Sequence, residues 1–224
     1  MLDQETTLAQ QTRRWIAKEP FNAYSHLFGV ALAVPGLLAL IFKAGDDAFK
    51  LTALSIYGGS LILLYLASSM FHGLDISETW NDRLRRFDHM AIFVLIAGSY
   101  TPICLIKMQG WWGWSIFGVV WAVAVAGIAM KLFFDHLPPV ATSLIYLGMG
   151  WFGVIGFMPL TEVVPIDGLM WLIAGGLIYT LGGIIYALER PDPYPNVFGH
   201  HEIFHIFILG GSVSHFVFMA GWVA

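Results

Sequence analysis

Charge is scarce in this chain. Only 12% of its 224 residues are Asp, Glu, Lys or Arg, where an ordinary soluble domain carries about 25%. With 58% hydrophobic residues and a mean hydropathy of +0.72, an ordinary water-soluble domain is ruled out. Cysteine is nearly missing too. Cys104 stands alone inside an apolar stretch, so there is no disulfide framework and Cys104 reads as a packing residue. The net charge is −4 and there is no basic face of the kind nucleic acid requires. No cleavable signal is expected at the start. Residues 1–20 are polar, with Asp3, Glu5, Arg13, Arg14, Lys18 and Glu19, and the first apolar run has spanning length rather than that of a signal peptide's short core. It is expected to stay in the mature protein.

What the chain does have is long apolar runs. A helix needs about 20 apolar residues to cross a hydrocarbon core of about 30 Å. Such runs are read at residues 21–42, 51–73, 88–107, 111–130, 139–160, 168–188 and 201–222, joined by short polar connections. The fold expected is therefore an all-α membrane protein of seven transmembrane helices, with 1–20 a short N-terminal segment and 21–224 the transmembrane domain. The run Arg190-Pro191-Asp192-Pro193-Tyr194-Pro195 cannot continue a helix and sets a firm stop before the last span. Residues 77–87, with Trp80, Leu84 and Phe87 at helical spacing and arginines between them, read as a short interfacial helix. Glycines such as Gly148, Gly150, Gly153, Gly156, Gly175, Gly176, Gly182 and Gly183 read as close-packing positions, since small residues let helices approach in lipid.

Basic residues in short loops set the orientation. One side of the membrane carries Arg13, Arg14, Lys18, Arg83, Arg85, Arg86, Lys131 and Arg190; the other carries Lys43, Lys50 and Lys107. Eight against three places the N-terminus in the cytoplasm and the C-terminus outside.

Ionisable groups inside spans are costly unless paired, and so are functional candidates by default. The second span ends Ser68-Ser69-Met70-Phe71-His72, the third begins Asp88-His89, and the seventh begins His200-His201-Glu202-Ile203-Phe204-His205. In the topology above, His72, Asp88, His201 and His205 all fall at the cytoplasmic face. His201 and His205 are four apart and share one helical face, which suits two ligands of one ion. A third histidine, His72, would complete three protein ligands and leave a fourth position for water, the open arrangement of catalytic zinc. Asp88 is placed to orient an imidazole or hold the metal's water. His26, His89, His136 and His200 are read as solvated interfacial residues. His215, ten residues beyond His205 and so about 15 Å deeper, is expected to hydrogen-bond within the bundle. The string His201-Glu202-Ile203-Phe204-His205 also matches the metallopeptidase pattern H-E-x-x-H. No carboxylate side chain follows Glu202 to supply a third ligand, so Glu202 is read as incidental.

With these motifs in this order, the chain closely resembles the bacterial hemolysin III family of the progestin and adipoQ receptor superfamily. The resemblance covers essentially the full length and rests on Ser25-His26, the S-x-x-x-H of Ser68 to His72, Asp88, and the H-x-x-x-H of His201 to His205. It implies seven helices with the N-terminus inside, zinc on His72, His201 and His205, and Asp88 and Ser68 beside the water on the metal. It links the site to alkaline ceramidases, hence to hydrolysis of lipid amides or esters, to a fatty-acid or ceramide-like ligand and to membrane lipid homeostasis in the bacterial inner membrane.

The function expected is a zinc-dependent lipid hydrolase or lipid sensor, with Asp88 as base or water-positioning group, Ser68 as its hydrogen-bond partner, and membrane lipids entering laterally between helices. Two rival classes are an ion pathway or cytolysin-like pore using the same cluster as a relay, and a non-catalytic protein whose zinc ties the second and seventh spans together. A metallopeptidase using Glu202 is a further alternative.

Overall fold

A computed structural model describes residues 17–133, 137–195 and 197–224. Arg13 and Arg14 of the charge count, most of the 1–20 segment, and His136 lie outside the described residues. Seven helices are long and apolar enough to cross a membrane: α1 Pro20–Ala44, α2 Ala48–Gly73, α3 Glu78–Met108, α4 Gly110–Phe133, α5 Pro139–Val163, α6 Ile166–Leu188 and α7 His200–Val223. The seven-span expectation is met, each helix overlapping its predicted run. The proline-rich stop holds as well: α6 ends at Leu188, Glu189 adopts a left-handed φ of 52°, and α7 restarts at His200.

The third span departs from expectation. Residues 77–87 form no separate interfacial helix but the first turns of α3. Ser77 caps them, its hydroxyl accepting from the Trp80 N–H at 3.3 Å, and no proline or glycine between Glu78 and Asp88 interrupts the backbone. Leu84 is buried while Trp80 and Phe87 are exposed, so the three do not share one buried face. Lys131, counted with a loop, is in fact buried and donates from Nζ to Thr142 Oγ1 at 3.2 Å.

The middle of the bundle is built from α2 and α3, whose apolar windows are 56% and 50% buried against 22% for α1 and for α5. They meet closely at Gly98, where a Cβ would sit 2.4 Å from Ser60 Oγ. Close packing does not account for every glycine: Gly148, Gly150 and Gly176 face open space. Cys104 is a buried free thiol, consistent with its packing assignment.

Helix α5 is broken at membrane depth. It is α-helical over Pro139–Trp151, tightens to a 3₁₀ stretch over Phe152–Gly156, and resumes at Phe157. Backbone groups freed in hydrocarbon must find partners within the protein, and Tyr100 of α3 supplies one. Its hydroxyl donates to Gly150 O at 2.5 Å and accepts from the Gly153 N–H at 2.7 Å. Replacing it, Tyr100→Phe, is expected to cost about 1–3 kcal/mol by stranding buried backbone groups, seen as a lower unfolding temperature in detergent. An unchanged unfolding temperature would show that the break is satisfied otherwise.

Candidate metal centre

The end of the bundle where α1, α3 and α7 begin and α2 finishes holds most of the buried ionisable side chains. Glu19, just ahead of Pro20 at the first turn of α1, is tied to the end of α2 through its backbone, its N–H donating to His72 O at 2.8 Å. Pro20 lacks an N–H and has a fixed φ suited to a first helical turn, so α1 starts at this anchor. His72 lies in the last turn of α2, and His201 and His205 lie one turn apart at the start of α7.

The structure brings these three imidazoles together. Ring centroids are 5.0 Å apart for His72–His201, 4.8 Å for His72–His205 and 5.0 Å for His201–His205. One nitrogen from each lies within 4.8 Å of the others. Nitrogens about 2.0–2.1 Å from a common zinc stand at most about 4.2 Å apart, so only a small inward shift closes the triangle around an ion. The outer nitrogens are already engaged. His72 Nδ1 donates to Glu19 Oε2 at 2.5 Å, and His205 Nδ1 lies 3.4 Å from Ser25 Oγ, which leaves Nε2 of both rings as the candidate ligand atom. His201 Nε2 is buried with no hydrogen-bond partner among the described residues. Three unspent imidazole nitrogens converging on one point, one ring backed by a carboxylate, is a donor set that fits zinc.

The hydrogen bond from His72 holds the Glu19 carboxyl at about 2, well below its ordinary value and against the opposing pull of partial burial. Glu19 is therefore an ionised acceptor throughout the physiological range, and an ionised acceptor on Nδ1 fixes the His72 tautomer that exposes Nε2 as a lone pair. Asn22, buried, links this carboxylate to α7 by donating to Glu19 Oε2 at 3.1 Å and to Glu202 Oε1 at 3.0 Å. Glu202 Oε2 in turn accepts the Gly199 N–H at 2.8 Å. Both oxygens of Glu202 are thus occupied in starting α7 and joining it to α1, which agrees with reading its place in H-E-x-x-H as incidental.

Asp88 and Ser68 are both buried. They line, with His201 and His205, a cavity of about 520 Å³ that runs down between α2, α3, α5, α6 and α7. Every residue singled out for the site is therefore in one place, while Asp88 stays outside the three-histidine ligand group.

Two interfacial assignments change. His26 is not solvated: it is 3% exposed and stacks on His205 with centroids 3.8 Å apart. Its turn of α1 faces the bundle rather than the headgroups, as Asn22 one turn earlier could have signalled. His89 is partly buried and lines the cavity; His200 remains partly exposed. Glu19 and Asn22 were not singled out from the sequence at all. A polar residue at a span boundary resembles any solvated end, and only the closure of α1 onto α2 and α7 distinguishes these two. His215 was expected to hydrogen-bond within the bundle. Its Nε2, however, is buried without a hydrogen-bond partner among the described residues.

Comparison with known proteins follows the same lines. A family profile described as "Haemolysin-III related" matches residues 14–216. "Hemolysin-3" of Bacillus cereus is 36% identical over 205 residues, covering 91% of this chain and 90% of that protein. "Hemolysin-3 homolog" of Bacillus subtilis is 37% identical over 203 residues, 90% of this chain and 92% of that one. The human "Monocyte to macrophage differentiation factor" is 28% identical over 202 residues, 87% and 80% of the two chains.

The Glu19 contact makes a direct prediction. Glu19→Ala should lower zinc affinity by about 10–100-fold, the usual effect of removing a carboxylate behind a ligand imidazole, in competition titrations with a chelator. Affinity equal to that of the unaltered protein would mean that His72 is not a ligand.

Proposed function

The chain belongs to the haemolysin-III-related family of membrane proteins, within the progestin and adipoQ receptor superfamily, and on that premise we propose that it is a zinc-dependent hydrolase of lipid amide or ester bonds. One observation carries the reading: of the three converging imidazoles, His201 and His205 line an apolar cavity of about 520 Å³, within the range of small-molecule sites.

His72, His201 and His205 would hold the ion, with Glu19 and Ser25 orienting two of the rings. Zinc in that position supplies a Lewis acid and brings the pKa of water it binds toward about 7. The remaining work falls to the chain itself. The cavity takes the acyl chain and keeps bulk water from it. Trp151 and Val154 line the cavity and are 42% and 59% exposed on the outside of α5, which supports entry from the lipid beside the broken helix. Asp88, which lines the cavity with Ser68, His201 and His205, would take a proton from water attacking the acyl carbonyl and return it to the departing amine or alcohol oxygen, with Ser68 as its hydrogen-bond partner. The excess of basic residues at this end, seven against three once buried Lys131 is set aside, supports placing it on the cytoplasmic face, in a bacterium that of the inner membrane, and a role in membrane lipid homeostasis fits such a site.

The engagement of Glu202 with Gly199 and Asn22 weighs against the peptidase alternative. The test is metal analysis of the purified protein together with a lipid-hydrolysis screen on the same sample. Asp88→Asn is expected to keep the zinc and lower turnover by about 10²–10⁴-fold, the span of a lost general base, while Glu202→Gln keeps activity. Zinc bound at full stoichiometry, with no lipid amide or ester hydrolysed, would leave the ion a purely structural tie between α2 and α7.

A further inference from the structure

The cavity continues well past the three-histidine cluster to a second group of polar side chains. His215 lies ten residues beyond His205 on α7, about 15 Å further along the helix axis. Tyr57 lies eleven residues before Ser68 on the oppositely directed α2, roughly 16 Å in the same sense. Both line the cavity, as does Tyr179 of α6. Tyr57 is fully buried, and neither its hydroxyl nor His215 Nε2 has a hydrogen-bond partner among the described residues. Tyr179 meets the His215 ring edge-on at 5.2 Å and shares a 2.8 Å hydrogen bond with Ser212.

Local packing makes room for this group. His215 rests against Gly175, where a Cβ would fall 2.0 Å from the imidazole Cδ2; any larger residue would displace the ring. A buried polar atom without a partner costs about 1–3 kcal/mol, and hydrocarbon offers none. Two such atoms at one depth of one cavity point to a partner that comes from outside the protein. Its chemistry is constrained. No Asp, Glu, Lys or Arg is among these residues, so a charged group would be left without a counter-charge. A neutral imidazole offers a lone pair or an N–H at Nε2, and Tyr57 offers an O–H donor. An alcohol both donates and accepts, so it can satisfy either or both.

We propose that this deep cluster is a second recognition site, which binds a hydroxyl carried on the acyl chain of the ligand whose head lies at the metal centre. The inference rests on the cavity's being an acyl-chain site, and it narrows the ligand to lipids with a neutral hydrogen-bonding group far along the chain.

The test compares stearate with 12-hydroxystearate, whose hydroxyl stands a comparable distance from its carboxylate, by displacement of a fluorescent fatty acid from the full-length protein in detergent micelles. The hydroxylated acid should bind about tenfold more tightly, roughly one hydrogen bond's worth. His215→Phe or Tyr57→Phe should reduce that preference, read as the ratio of the two acids in each variant, to less than about twofold. Equal binding of the two acids by the unaltered protein overturns the second site and leaves the acyl cavity intact, the deep groups then being served by water. Failure of both acids to displace the probe overturns the acyl cavity and this inference with it. A preference that survives both substitutions also overturns the assignment to these residues.

Discussion

Hydrocarbon cannot hydrogen-bond, and this constraint arranges everything polar in the molecule. A side chain such as His72, buried at the end of α2, must be answered by another side chain. Glu19 answers it on Nδ1. The reply has consequences: it fixes the ring, turns Nε2 inward, and draws α1 against α2 through the neighbouring backbone contact. Asn22 and Glu202 extend the same logic to α7. The three-histidine cluster and the packing of this end of the bundle are thus one network. Its members come from residues 19–26, 68–88 and 199–205, separated in the chain by whole spans yet equal in depth.

The same constraint explains the irregular parts. A helix that breaks in lipid must hand its backbone groups to a neighbour, and α5 hands them to the Tyr100 hydroxyl. Its 3₁₀ stretch also borders the cavity, with Gly153 and Val154 among the lining residues. Irregular backbone at membrane depth is tolerated where it lines a cavity, and here it lies where an acyl chain would need to pass.

Much of this was legible in the residues alone. Span number followed from apolar run length, and the convergence of His72, Asp88, His201 and His205 followed from counting helix directions, because alternating spans return to the same face. The i, i+4 spacing of His201 and His205 marked a shared helical face. Less legible was rotation. Whether His26 looks toward lipid headgroups or toward the core depends on how α1 is turned about its axis, and an apolar helix with residues such as Phe21 and Leu27 exposed and Asn22 and His26 buried carries little hydrophobic contrast to set that angle. Glu19 was hidden for a related reason, since a carboxylate before a proline looks like any solvated helix entry. The long start of α3 was misread because an arginine-rich segment at an interface has the composition of a separate surface helix, while its continuity is decided by the Ser77 cap and an uninterrupted backbone.

The cavity joins two chemically different ends. One gathers imidazoles and carboxylates suited to a divalent cation; the other gathers neutral phenols, a serine hydroxyl and one imidazole. Between them the lining is apolar, including Leu64, Ile92, Leu95 and Ile96. On the proposed reading this cavity takes a long apolar ligand with a carbonyl at its head, a lipid. Zinc K-edge X-ray absorption on the purified protein bears most directly on the central claim. It should give one ion per chain with three imidazole nitrogens at about 2.0–2.1 Å, and the nitrogen count should fall in His205→Ala. An absence of zinc, or a coordination shell unchanged by that substitution, would contradict it.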